Sequence, residues 1–108
     1  KNMGIDSIPI NILNPVKGTP LEKAVPPSPW EILRIFAVFR FILPHAQIRT
    51  AGGREVNLRS MQAYALTAGA DGLMIGGYLT TAGNKTHVDT QMLTDLGRKP
   101  AMPRFPRP

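Results

Sequence analysis

IRTAGGRE, residues 48–55, is the stretch that decides how this chain reads. Ile48 and Thr50 fall on one side of an extended segment, and Gln47, Arg49 and Ala51 on the other, because side chains alternate along a strand. Gly52 and Gly53 then permit a tight turn, and Arg54 and Glu55 follow. The segment reads as a strand running into a turn, with a permanent cation on the side opposite Ile48.

Upstream, SIPINIL (7–13) reads as another strand, with Ile8, Ile10 and Ile12 on one side and Pro9, Asn11 and Leu13 on the other. NPVKGTPLEKAVPP (14–27) is a loop rich in proline and glycine. Ser28, Pro29 and Glu31 then spell a helix start: an N-cap, a proline at the first helical position and the acid of a capping box. That helix is expected to run to Leu43 and stop at Pro44. It is apolar nearly all round, which predicts deep packing between neighbouring elements.

Downstream, the strand spans AQIRTAG (46–52). Asn57 is placed to cap a second helix, whose stripe holds Leu58, Met61, Ala65 and Ala68 and whose stop is Gly69. GLMIGG (72–77) is a short, wholly apolar strand, typical of a parallel sheet covered on both faces. YLTTAGNKTH (78–87) is a loop. A last amphipathic helix, Val88 to Leu96, carries Val88, Met92, Leu93 and Leu96, and Gly97 ends it.

Strands that alternate with helices imply parallel crossovers, so the fold class is α/β. Three such units fit part of an open sheet or part of a (β/α)8 barrel, whose complete form takes about 250 residues. In a barrel the isoleucine side of each strand meets the helices, and Asn11 and Arg49 face the interior. Both sit toward the C-terminal ends of their strands, where barrel enzymes keep their active sites. A buried charge needs compensation. Arg49 therefore requires a partner, either a protein carboxylate or a ligand, and Asn11 either ties down a loop or joins a site.

Composition narrows the function classes. The net charge is +6, but Arg98, Lys99, Arg104 and Arg107 lie in the last eleven residues, leaving +2 for the remainder. The division is thus a domain over 1–97 and a basic, proline-rich tail over 98–108, which argues against nucleic-acid binding. With 43% hydrophobic residues the chain is expected to fold. The densest apolar run, ILRIFAVFRFIL, is interrupted by Arg34 and Arg40, so no membrane span is expected. There is no cysteine, hence no disulfide and no thiolate metal site from this chain alone. A start at KNMGID, without an initiator methionine or a secretory signal, suggests a piece of a longer protein.

SIPINILNPVKGTPLE, IRTAGGRE and AGADGLMIGGYLTTAG, in this order and at this spacing, resemble the biotin synthases, members of the radical S-adenosylmethionine enzymes. The resemblance covers residues 3–97 and corresponds to the C-terminal part, including the biotin and thiamin synthesis associated region. It implies the C-terminal portion of a TIM-type barrel. It implies a [4Fe-4S] cluster that cleaves S-adenosylmethionine to a 5′-deoxyadenosyl radical, and a [2Fe-2S] cluster that supplies sulfur to dethiobiotin. By the same resemblance Arg49 matches the family's arginine ligand of the [2Fe-2S] cluster. Asn11 matches the asparagine that contacts the ureido ring of dethiobiotin. A homodimer and a cytoplasmic location, or an organellar matrix in a eukaryote, are implied as well. The family's CxxxCxxC motif and the three cysteines of its second cluster are absent, since they lie upstream of the matched region. This chain alone is therefore expected to bind no cluster and to be inactive.

Other features are weaker. Arg54 and Glu55 read as pairing with neighbours. Thr80, Thr81 and Gly83, with TAGG, could instead form a phosphate-binding end of a barrel. His45 and His87 stand in loops without metal-ligand spacing, and Trp30 and the phenylalanines read as packing. Related radical enzymes of thiazole synthesis or hydrogenase maturation, and a non-catalytic partial barrel, are the other readings. Asn11 and Arg49 together favour biotin synthase.

Overall fold

The structure, a computed structural model, describes residues 3–76 and 83–101. Strands β1 (Ser7–Ile10), β2 (Gln47–Thr50) and β3 (Gly72–Leu73) form one parallel sheet in the order β1-β2-β3. Ile8 lies opposite Ile48, and Pro9 opposite Arg49. Arg49 in turn lies opposite Gly72. Helix α1 (Pro29–Ile42) connects the first pair of strands. The second connection consists of α2 (Arg54–Leu58), a 3-10 turn (Arg59–Met61) and α3 (Gln62–Ala68), and α4 (Thr86–Asp95) follows β3. The α/β class and the parallel order agree with the sequence reading. Among the described residues no helix is long and apolar enough to cross a membrane.

Helix α1 begins as its sequence dictates. The Ser28 hydroxyl accepts from the Glu31 amide, and the Glu31 carboxylate accepts from the Ser28 amide at 2.7 Å. Its C-terminus is fastened by Arg40, whose guanidinium donates to the carbonyls of Gly69 (2.8 Å), Ala46 (2.8 Å) and Pro44 (3.1 Å). The same group pairs with Asp71, and the Asp71 carboxylate also accepts from the Ile48 amide at 2.8 Å. One arginine thus satisfies carbonyls that a helix end and two strand entries would otherwise leave open.

The core lies on one face of the sheet. Ile48 packs with Ile32, Leu33 and Phe36 of α1, with Leu58, and with Ala65 and Leu66 of α3. Along β2 burial alternates: Ile48 and Thr50 are buried, Gln47 and Arg49 exposed. The opposite face, with Pro9, Asn11 and Arg49, is open.

Several expectations need correction. Arg49 is exposed in this chain, on the face of β2 away from the helices, so the partner expected of it is not supplied by the described residues. Helix α1 is packed on one face only, against β2, α2 and α3. Trp30, Val38, Phe41 and Ile42 stand exposed on it, so Trp30 is not core. Asn57 is not an N-cap: α2 begins three residues earlier, after Gly53, and Asn57 lies inside it. The strands are shorter than their apolar runs. Regular pairing ends at Ile10, Thr50 and Leu73. His87 falls in α4 and not in a loop, although it is exposed.

Thr50 is fully buried, and its hydroxyl has no hydrogen-bond partner among the described residues. Thr50→Val keeps the β-branched shape and removes that unsatisfied group. We expect thermal unfolding to show a stabilisation of about 1 kcal/mol. A lower midpoint would mean that the hydroxyl is satisfied in solution.

Candidate functional site

Beyond the last ladder residues, the ends of β1 and β2 stay joined. The Ala51 amide donates to the Ile10 carbonyl at 2.9 Å, and the Ile12 amide to the Gly52 carbonyl at 2.8 Å. The Gly52 amide donates to the side-chain oxygen of Asn11 at 2.9 Å. An N–H can face only the oxygen of a carboxamide, so this contact fixes which way the Asn11 side chain is turned. Its Nδ2 group, with two donors, is left pointing away from the turn.

Gly53 makes the closeness possible. Its φ is +86°, and a β-carbon there would lie 1.9 Å from the Ile12 carbonyl oxygen. No L side chain fits, and the conformation itself favours glycine. Asn57 reinforces the contact from inside α2. Its side chain donates to Leu13 O (3.0 Å) and Gly53 O (2.8 Å), tying the chain after β1 to the chain after β2.

Arg49 extends over the open face. Gly72, its neighbour on β3, leaves room: a β-carbon there would meet the Arg49 side chain at 3.7 Å. Among the described residues Arg49 makes no hydrogen bond or ion pair. It borders a concavity of about 270 Å³ with Pro9, Thr50, Ala51, Leu73 and Met74. Strand alternation from Pro9 sets Asn11 on this same face. Asn11 and Arg49 therefore both lie toward the C-terminal edge of β1 and β2, one an amide and the other a cation, although Asn11 does not line the concavity beside Arg49.

The buried cation is Arg54, one turn further on. It is completely buried, as is Asp89 of α4, and the two pair at 2.7 Å. Arg54 also donates to Gln62 Oε1 at 2.6 Å and to the Met74 carbonyl at 3.0 Å, and Glu55 lies at 3.4 Å. Asn84 closes the cluster, donating to Gln62 Oε1 and Asp89 Oδ1, each at 3.0 Å. The expected pairing of Arg54 with neighbours is present and extends to residues distant in the chain. The legible signal was Asp89: with Leu93 and Leu96 it occupies one helical face, a carboxylate on the side that packs on the core.

The remaining candidates do not join this site. His45 is an exposed residue preceding β2. Thr80 and Thr81 lie outside the described residues, and Gly83 is half-buried. Among the described residues no three His, Asp or Glu side chains converge on a metal position.

Gly53→Ala tests the packed turn. The added methyl must push the chain after β1 away, so we expect thermal unfolding to report a loss of at least about 2 kcal/mol. Retention of the parent midpoint would show that the turn opens freely.

Comparison with known proteins identifies the family. The model of the Biotin and Thiamin Synthesis associated domain matches residues 9–99. The chain is 58% identical over 99 residues to the biotin synthase of Carboxydothermus hydrogenoformans, covering 92% of this chain and 30% of that protein. It is 54% identical over 96 residues to the biotin synthase of Clostridium acetobutylicum, covering 89% and 29%. With the biotin synthase of Pelobacter propionicus it shares 50% identity over 97 residues, covering 90% and 30%. The chain thus spans about 30% of the length of these curated relatives. The match takes in Asn11, the strand that carries Arg49, the turn between Gly52 and Arg54, and the helix that carries Asp89; the chain belongs to the biotin and thiamin synthesis associated domain family.

Proposed function

We propose that this chain is the part of a biotin synthase that forms one side of a (β/α)8 barrel and contributes Arg49 and Asn11 to its interior. The observation that carries this reading is the pairing of high identity to biotin synthases with an open sheet face bearing those two residues. A sheet with helices on one side and an exposed arginine and asparagine on the other has the layering of a barrel wall.

In this reading the full-length protein binds a [4Fe-4S] cluster, S-adenosylmethionine and a [2Fe-2S] cluster. When bound, these groups supply a 5′-deoxyadenosyl radical and a sulfur atom for closing the ring of dethiobiotin. No cysteine is present here, so every thiolate must come from outside these residues. What this chain can offer the [2Fe-2S] cluster is the Arg49 guanidinium, which has no protein partner among the described residues. A cation beside a thiolate-ligated cluster offsets its negative charge, and a planar fork of donors is well shaped for that position.

One lone pair of the Asn11 oxygen is engaged by Gly52, which turns the two N–H donors of its amide away from the turn. Those donors suit the ureido carbonyl oxygen of dethiobiotin. The reading carries with it a homodimer and a cytoplasmic location, or an organellar matrix in a eukaryote. Thiazole synthesis and hydrogenase maturation are not favoured by the three relatives named above, each a biotin synthase.

Two variants of the full-length enzyme test the two residues separately. Arg49→Ala is expected to alter the visible absorption of the [2Fe-2S] cluster, and an unchanged spectrum with unchanged cluster stability removes Arg49 from the ligand set. Asn11→Asp keeps the oxygen that Gly52 holds and removes the donors. It is expected to raise the KM for dethiobiotin about tenfold, the loss of one well-placed hydrogen bond. A parent-like KM would mean that Asn11 serves only the turn.

A further inference from the structure

We infer that the buried Arg54–Asp89 pair is a positioning device for the open-face site, holding Met74 and the 51–53 turn and, through them, the setting of Arg49 and Asn11. The inference rests on the site reading proposed above.

Arg54 directly follows the turn whose Gly52 amide orients Asn11. From there its guanidinium reaches across to the chain leaving β3. Met74 lies one residue past the end of β3, yet it is held at both backbone groups. Its amide donates to the Thr50 carbonyl at 2.9 Å, and its carbonyl accepts from Arg54 at 3.0 Å. Met74 also borders the concavity beside Arg49. The wall next to Arg49 is therefore set by a hydrogen bond from the buried face of the sheet.

Asp89 fixes the guanidinium that makes this contact. Both groups are fully buried, and the carboxylate spends one oxygen on Arg54 and the other on Asn84. A buried ion pair is a poor source of stability, because apolar residues of the same volume do as well or better. What it supplies is direction. Each of its hydrogen bonds has a preferred distance and angle, whereas an apolar contact can slide. Here that direction links α4, α3 and the ends of β2 and β3 to the two residues on the open face. Arg54 and Asp89 touch neither substrate nor cluster in this account and act through Met74 and the turn.

The test uses the full-length enzyme carrying Arg54→Met together with Asp89→Leu. This exchange replaces the pair by apolar side chains of similar size, so the thermal midpoint is expected to stay near the parent value. The cluster is expected to change nonetheless: iron release to a chelator about 10- to 100-fold faster, the range for losing a group that orients a ligand. Its visible spectrum should shift in the same sense as in Arg49→Ala. Hydrogen–deuterium exchange should rise in peptides spanning 49–53 and 74–76. Parent-like iron release, spectrum and exchange in the folded double variant would overturn the inference and leave the pair a purely structural contact. If Arg49→Ala is itself silent, the site reading falls, and exchange at 49–53 and 74–76 alone decides whether the pair holds those segments. If the double variant does not fold, Arg54→Lys takes its place. It retains the charge facing Asp89 but lacks the fork that also reaches Met74 and Gln62, and the same readouts apply.

Discussion

The upper end of this molecule depends on how closely the Gly53 backbone approaches the Ile12 carbonyl. That approach is possible only without a side chain, and it sets the distance between the chains leaving β1 and β2. Given that distance, Ile12 can bond Gly52, Asn57 can reach Leu13, and the Gly52 amide can face Asn11. Backbone donors and acceptors that would otherwise end at Ile10 and Thr50 are satisfied past the sheet. The consequence is that the Asn11 side chain is held in one orientation.

Two arginines five residues apart meet opposite fates. Arg49 lies in β2 on the side of the sheet away from the helices, and nothing in the described residues neutralises it. Arg54 starts α2 on the helix side, and there its charge must be matched, because an unpaired ion in that setting is strongly destabilising. Asp89 matches it, and Gln62, Asn84 and the Met74 carbonyl take up further hydrogen-bonding capacity. An exposed cation is available to a ligand, and a buried paired one is available only as a support. Their different settings follow from the turn at Gly52 and Gly53.

The opposite end of the sheet is held by a different arginine. Arg40 joins the C-terminus of α1 to the entries of β2 and β3 through the carbonyls of Leu43, Pro44, Ala46 and Gly69 and through Asp71. Between these two fastenings the core is aliphatic, with Phe36, Ile48 and Leu58 completely buried. Trp30, Val38, Phe41 and Ile42 remain in water on the far side of α1. Exposed apolar side chains in that number on one helix are unusual for an isolated domain surface. They match a helix whose sequence is apolar nearly all round.

Much of this could be read from the sequence because it is local. The Ser28–Pro29–Glu31 start of α1 depends on neighbours within one turn, and the alternation of Ile48 and Arg49 on period two. The order of strands and helices, and the family motifs around Asn11 and Arg49, were likewise legible. The exposure of Arg49, the orientation of Asn11, the place of Asn57 inside α2 and the Arg54–Asp89 cluster were not. Each is set by residues far apart in the chain: Asn11 by Gly52, Asn57 by Leu13, Arg54 by Asp89. A residue's own pattern says which side of a strand or helix it occupies. Whether that side meets solvent, a carbonyl or a carboxylate is settled only when distant segments pack, because burial and hydrogen-bond partners are properties of the assembled chain.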